Sequence, residues 1–153
     1  MEEGIFYLTR AGLKKIQLQY KELQKTKKDK IKNNADNFHS QEIESDYLVF
    51  HENIEILKGR IQELKHVLDN YQMIKCPPLK ERTLIKLGAT VIVEVENQLD
   101  EFQIVGSLEA DPPAGAISHQ SPVGESLLGH RVGDKVKVSS AITTVYLIKK
   151  IKY

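Results

Sequence analysis

A chain of 153 residues with 22 basic and 21 acidic side chains has a net charge of +1, so no global field draws it to nucleic acid. A single cysteine, Cys76, excludes an internal disulfide and a cysteine-rich zinc site, and the five histidines lack ligand spacing. No apolar run reaches the ~18 residues of a membrane helix and the N-terminus shows no basic-then-apolar leader, so the expectation is a cytoplasmic protein with no membrane partner.

The first predicted element is a helix with Thr9 as N-cap. Leu13, Ile16, Tyr20 and Leu23 repeat three and four apart; the pattern weakens at Lys27 and revives at Ile31. This arm is basic, with Lys27, Lys28, Lys30 and Lys32 near its far end. Asn33 to Ser40 is rich in Asn, Asp and Ser, which compete with helical bonding, and reads as a turn. The next stretch, "HSQEIESDY" at 39–47, gathers Glu42, Glu44 and Asp46 without a basic residue. Acids in the first turns of a helix offset its positive end, which is the ordinary account of such a cluster. Phe38 is expected to cover the end of the apolar seam.

A second helix follows. Phe50, Ile54, Leu57, Ile61, Leu64, Leu68 and Tyr71 form a heptad seam, the strongest periodic signal in the chain. Two helices across a short turn fold back as an antiparallel hairpin. At 1.5 Å per residue, arms of about 25–30 residues reach roughly 40 Å, so the acidic turn is expected at a tip beyond the reach of a small partner domain.

Cys76-Pro77-Pro78 ends the helix, and the period then becomes two. Strands are predicted at 90–95, 102–105, 135–138 and 144–148. Ser121-Pro122 opens a short helix that Gly129 closes, and Gly133-Asp134 is a turn. Phe102 and Tyr146 belong to the sheet core. The fold class is therefore α+β: a coiled-coil hairpin over 1–75, a linker over 76–84, and a mostly antiparallel sheet domain with one short helix over 85–153.

Several segments resemble the bacterial Gre transcript-cleavage factors: "YLTRAGLKKI" at 7–16, "GRIQEL" at 59–64, "GATV" at 88–91, "IVG" at 104–106, "EAD" at 109–111 and "SPVGESLLGHRVGD" at 121–134. The resemblance implies an FKBP-like sheet domain that binds bacterial RNA polymerase, with Ser121, Pro122, Gly124 and Gly129 in its signature. It implies that the hairpin enters the secondary channel, where tip carboxylates help hold a Mg²⁺ of the polymerase active site and orient water, so that the polymerase cuts backtracked RNA. Mg²⁺ prefers hard oxygen ligands, and two metals about 3.5–4 Å apart can activate water and steady the leaving oxygen. The chain would be no enzyme alone, would hold no metal or cofactor of its own, and would act as a monomer on the polymerase and the nascent RNA 3′ end.

At the tip the residues depart from the family's G-D-L-S-E-N-A-E-Y. Aligning Asp46-Tyr47 with its last two positions puts Ser40 and Ile43 where the family has its acids, and His39 where it has glycine. Glu42 and Glu44, displaced by one or two positions, are the candidate tip acids; Asp46 and Tyr47 are candidate tip support, and Lys27, Lys28, Lys30 and Lys32 candidate contacts to RNA or polymerase. One alternative is a channel regulator or inhibitor without cleavage chemistry. The other is a prolyl isomerase, which the aromatic content (Phe102, Tyr146 and Tyr153, with no Trp) disfavours.

Overall fold

The computed structural model describes residues 4–34, 44–139 and 143–153. These fall into two units, Leu13–Asn70 and Met1–Gly12 with Tyr71–Tyr153.

In the first unit, α1 (Arg10–Asn34, 25 residues) and α2 (Glu44–Asp69, 26 residues) form the hairpin. Each is about 38 Å long at 1.5 Å per residue. Their antiparallel order shows in which residues meet: Gln19, Leu23 and Thr26 share a groove with Arg60 and Leu64, and Lys27 acts electrostatically on Glu55. Among the described residues, Leu13, Ile16, Ile54 and Val67 are the buried apolar residues of this unit. Most seam positions between them, Tyr20, Leu23, Leu57, Ile61 and Leu64, are half-buried, as a two-helix seam without a third layer must be. Ile31 is 44% exposed, off the stripe that Leu13, Tyr20 and Lys27 continue at seven-residue intervals. Tyr71, expected to close the seam, instead begins a strand of the other unit, because α2 ends at Asp69.

Two short strands, β1 (Phe6–Leu8) and β2 (Tyr71–Met73), pair in parallel within the second unit. Neither was predicted: three residues show no period. Gly106 lets β1 approach, since a Cβ there would collide with the Tyr7 carbonyl oxygen. The main sheet comprises β3 (Thr90–Val95), β4 (Gln98–Val105), β5 (Ala116–Ser118), β6 (Lys135–Ser139) and β7 (Thr143–Lys152), in the order β5-β4-β3-β7-β6. Only the β4–β5 pair is parallel. Glu96 and Asn97 take positive φ at the tight β3–β4 turn, a conformation in which Asn is among the more tolerant residues.

Alternation along these strands turns Val91, Val93, Ile104, Val136, Val138 and Ile148 inward, where they pack with Ile85, Ala89 and Leu127 of the α3 helix (Pro122–Leu127). Phe102 and Tyr146 flank this core as an edge-to-face pair with centroids 6.2 Å apart. Tyr153 closes it: its hydroxyl donates to the Leu84 carbonyl and accepts from the Lys86 amide at 3.0 Å.

Candidate functional site

The far end of the hairpin is bounded by Asn34 and Glu44. Phe38, His39, Ser40, Glu42 and Ile43 lie outside the described residues, so of the two candidate tip acids the structure locates only the backbone of Glu44, the first residue of α2. Asp46 and Tyr47 follow in its first turns, both exposed. The Tyr47 ring meets His51 edge-on with centroids 4.4 Å apart, and Phe50 touches the same imidazole from 6.0 Å. Leu48 and Val49 beside it are 63% and 56% exposed.

The four candidate lysines do not form one patch. At 100° per residue, Lys28 and Lys32 share one side of α1, and Lys27 and Lys30 another. Lys28, Lys30 and Lys32 are exposed, whereas Lys27 is half-buried in the seam. Lys27 also helps hold the Glu55 carboxyl below its usual range; the larger causes are the Lys58 hydrogen bond at 2.6 Å and that ammonium's charge.

In the sheet unit the residues of the expected signature come together around α3, and most of them build the fold. The Ser121 hydroxyl donates to the Ser118 carbonyl at 2.7 Å and accepts from the Gly124 amide at 3.1 Å, an N-cap with Pro122 in the first turn. Gly124 is buried, and a Cβ there would strike the Ser118 carbonyl oxygen. Gly129 takes φ +81 past the helix end. Pro122 and Gly129 are the exposed members of the set.

Two features escaped the sequence reading. The first is how α1 begins. The Thr9 hydroxyl accepts from the Gly12 amide at 3.0 Å, as predicted for the cap. The Thr9 amide and hydroxyl both donate to Glu109, at 2.6 and 2.5 Å. In a capping box that carboxylate comes from the third helical residue. Here that residue is Gly12, whose missing Cβ leaves the space Glu109 occupies. The second is His119, only 3% exposed, with its ring edge-on to Tyr7 and Nδ1 3.3 Å from the Val105 carbonyl. A lone histidine in "ISHQ" gives no signal for this.

Among the described residues no three His, Cys, Asp or Glu are grouped to hold a metal ion, and no helix is long and apolar enough to cross a membrane.

Residues 80–153 match the family described as "Transcription elongation factor, GreA/GreB, C-term". A protein named Transcription elongation factor GreA from Clostridium acetobutylicum is 33% identical over 144 residues, 90% of this chain and 90% of that one. The chain belongs to the GreA/GreB family. The Leuconostoc mesenteroides GreA is 34% identical over 90% of this chain and 88% of its own. The match to the Thermomicrobium roseum GreA is 39% identical and spans 55% of this chain and about half of that relative, 54%. Among solved structures, GreA factor homolog 1 (Gfh1) of Thermus thermophilus is 21% identical, with 96% of this chain and 98% of that one covered at a TM-score of 0.44.

Proposed function

We propose that this GreA/GreB-family chain is a cytoplasmic elongation factor that binds bacterial RNA polymerase, inserts the hairpin tip into the secondary channel and stimulates cleavage of backtracked RNA by the polymerase's own active site. The observation that carries the reading is likeness over nine-tenths of the chain to proteins named Transcription elongation factor GreA. The hairpin supports it: two helices of 25 and 26 residues are each about 38 Å long, and Asn34 and Glu44 bound the far end of the rod.

The chain's contribution is positional. Glu42 and Glu44 supply hard carboxylate oxygens, Asp46 and the Tyr47–His51–Phe50 cluster steady the start of α2, and Lys28, Lys30 and Lys32 face phosphates or acidic polymerase surfaces. Mg²⁺ belongs to the polymerase and supplies the activation of water there.

A second reading rests on the tip itself. Ser40 and Ile43 stand where the family's acids fall, so the factor would occupy the channel and regulate elongation without cleavage. A cleavage assay on backtracked complexes of the cognate polymerase separates the two. The first reading expects stimulated cleavage that Glu42→Ala with Glu44→Ala reduces at least tenfold while binding persists. Binding without stimulation establishes the second, and failure to bind polymerase ends both.

A further inference from the structure

The solvent face of the main sheet carries a row of lysines whose regularity comes from a β-bulge. On β3 the register against β7 shifts between Ile92 and Val93: Val93 faces Ile148, while Ile92 faces Lys150. Lys149 is the extra residue, so the residues on either side of the bulge keep their faces while Lys149 and Lys150 both turn to solvent. Lys152 shares that face opposite Thr90, and on β6 Lys135 and Lys137 join it opposite Leu147 and Val145. Successive cross-strand rows therefore present Lys137, Lys135, Lys150 and Lys152. With two residues per row the rows lie about 7 Å apart, a line of roughly 20 Å.

Two acids share the face. Glu94 pairs with Lys149 at 2.5 Å and Glu101 with Lys152 at 3.6 Å. Among the described residues Lys135, Lys137 and Lys150 are exposed and have no carboxylate partner. Protection of a sheet edge explains lysines on β6, the outer strand. It does not explain those on β7, which is paired on both sides by β3 and β6. The described residues of β3, β4, β6 and β7 put no aromatic ring or arginine on this face, so it has neither a stacking platform nor a guanidinium fork for base edges.

We propose that this face binds the phosphodiester backbone of nucleic acid without sequence preference, with Lys135, Lys137 and Lys150 each neutralising one phosphate. The row repeat is close to the separation of successive phosphates on one strand, and a linear array of point charges suits a linear polyanion. Although the whole chain is almost neutral, the local field here is positive. This proposal is independent of polymerase docking, and no polymerase enters its test.

The test measures anisotropy of labelled mixed-sequence RNA and of duplex DNA, each titrated with the full chain across a salt series. Comparison is with Lys135→Gln/Lys137→Gln/Lys150→Gln, and with Lys28→Gln/Lys30→Gln/Lys32→Gln as the hairpin counterpart; circular dichroism confirms that each variant is folded. Removing three phosphate contacts flattens log K against log salt by about 2.7 for duplex and about 2.1 for single strands. Between about 50 and about 200 mM salt, wild-type affinity then falls about 40-fold further than the variant's on duplex, and about 20-fold further on RNA. An unchanged slope in the sheet variant overturns the proposal, as does a loss confined to the hairpin variant. Binding of polyglutamate but of neither nucleic acid would assign the face to an acidic polypeptide and overturn it equally.

Discussion

The hairpin and the sheet unit solve the burial problem in opposite ways. The hairpin spreads its apolar residues along one seam, and of the buried hydrophobic side chains among the described residues only Leu13, Ile16, Ile54 and Val67 lie in it. The sheet unit concentrates its own, with Ala89, Val91, Val93, Ile104 and Leu127 all fully buried. A seam has no centre, so each turn of the hairpin depends chiefly on its neighbours, whereas the sheet core is shared and fails as a whole. Local opening should follow that division, with hairpin amides exchanging from lower-energy openings than those of β3 and β7.

Matched deletions would break or sharpen this contrast. Ile104→Ala should cost about 2–5 kcal/mol and lower protection across the entire sheet unit, read by urea denaturation with hydrogen exchange. Ile54→Ala should cost less and lower protection only in nearby turns of α1 and α2; a hairpin that lost protection from end to end would disprove the seam picture. Next in size are the titrating groups. Burial, opposed by the Lys86 amide, raises the Tyr153 phenol above its usual value. The unfolded phenol therefore loses its proton first as pH rises. Stability from this group is complete below pH ~10 and is lost as pH climbs through the folded value. Tyr153→Phe should abolish that alkaline loss while costing about 1 kcal/mol for the missing hydrogen bonds, seen in melts across the alkaline range. Glu55 in the hairpin runs the other way and smaller. Its folded value is lowered, so its contribution is present at neutral pH and disappears on acidification. The group is exposed, so Glu55→Gln should leave the neutral melting temperature almost unmoved.

Legibility in the sequence followed the length of each pattern. Six seam residues from Phe50 to Leu68 announced α2, and alternation at Thr90–Val95 announced β3, because many positions repeated one constraint. Strands of three residues gave no such repetition, which hid β1, β2 and β5. The Ser121 cap was readable because its partners are local; the Glu109 contact to Thr9 was not, since nothing local marks a partner 100 residues away. Around α3, Ser121 as cap and Gly129 past the helix end were legible and are found so, whereas the close approach of the Ser118 carbonyl that Gly124 permits left no local sign. Of the tip, the sequence supplied the acids and the structure the helix that Glu44 begins; Glu42 lies outside the described residues.

The Thr9–Glu109 contact also bears on biosynthesis. At roughly 5–20 residues per second a ribosome needs roughly 5–20 s to pass from one partner to the other. Throughout that interval the nascent α1 has its N-terminal amides only partly satisfied, and a prematurely terminated product never receives the missing acceptor. Synthesis past Glu109 is thus registered at the start of the chain, where a copy that stops short of that residue would fray and be open to proteases.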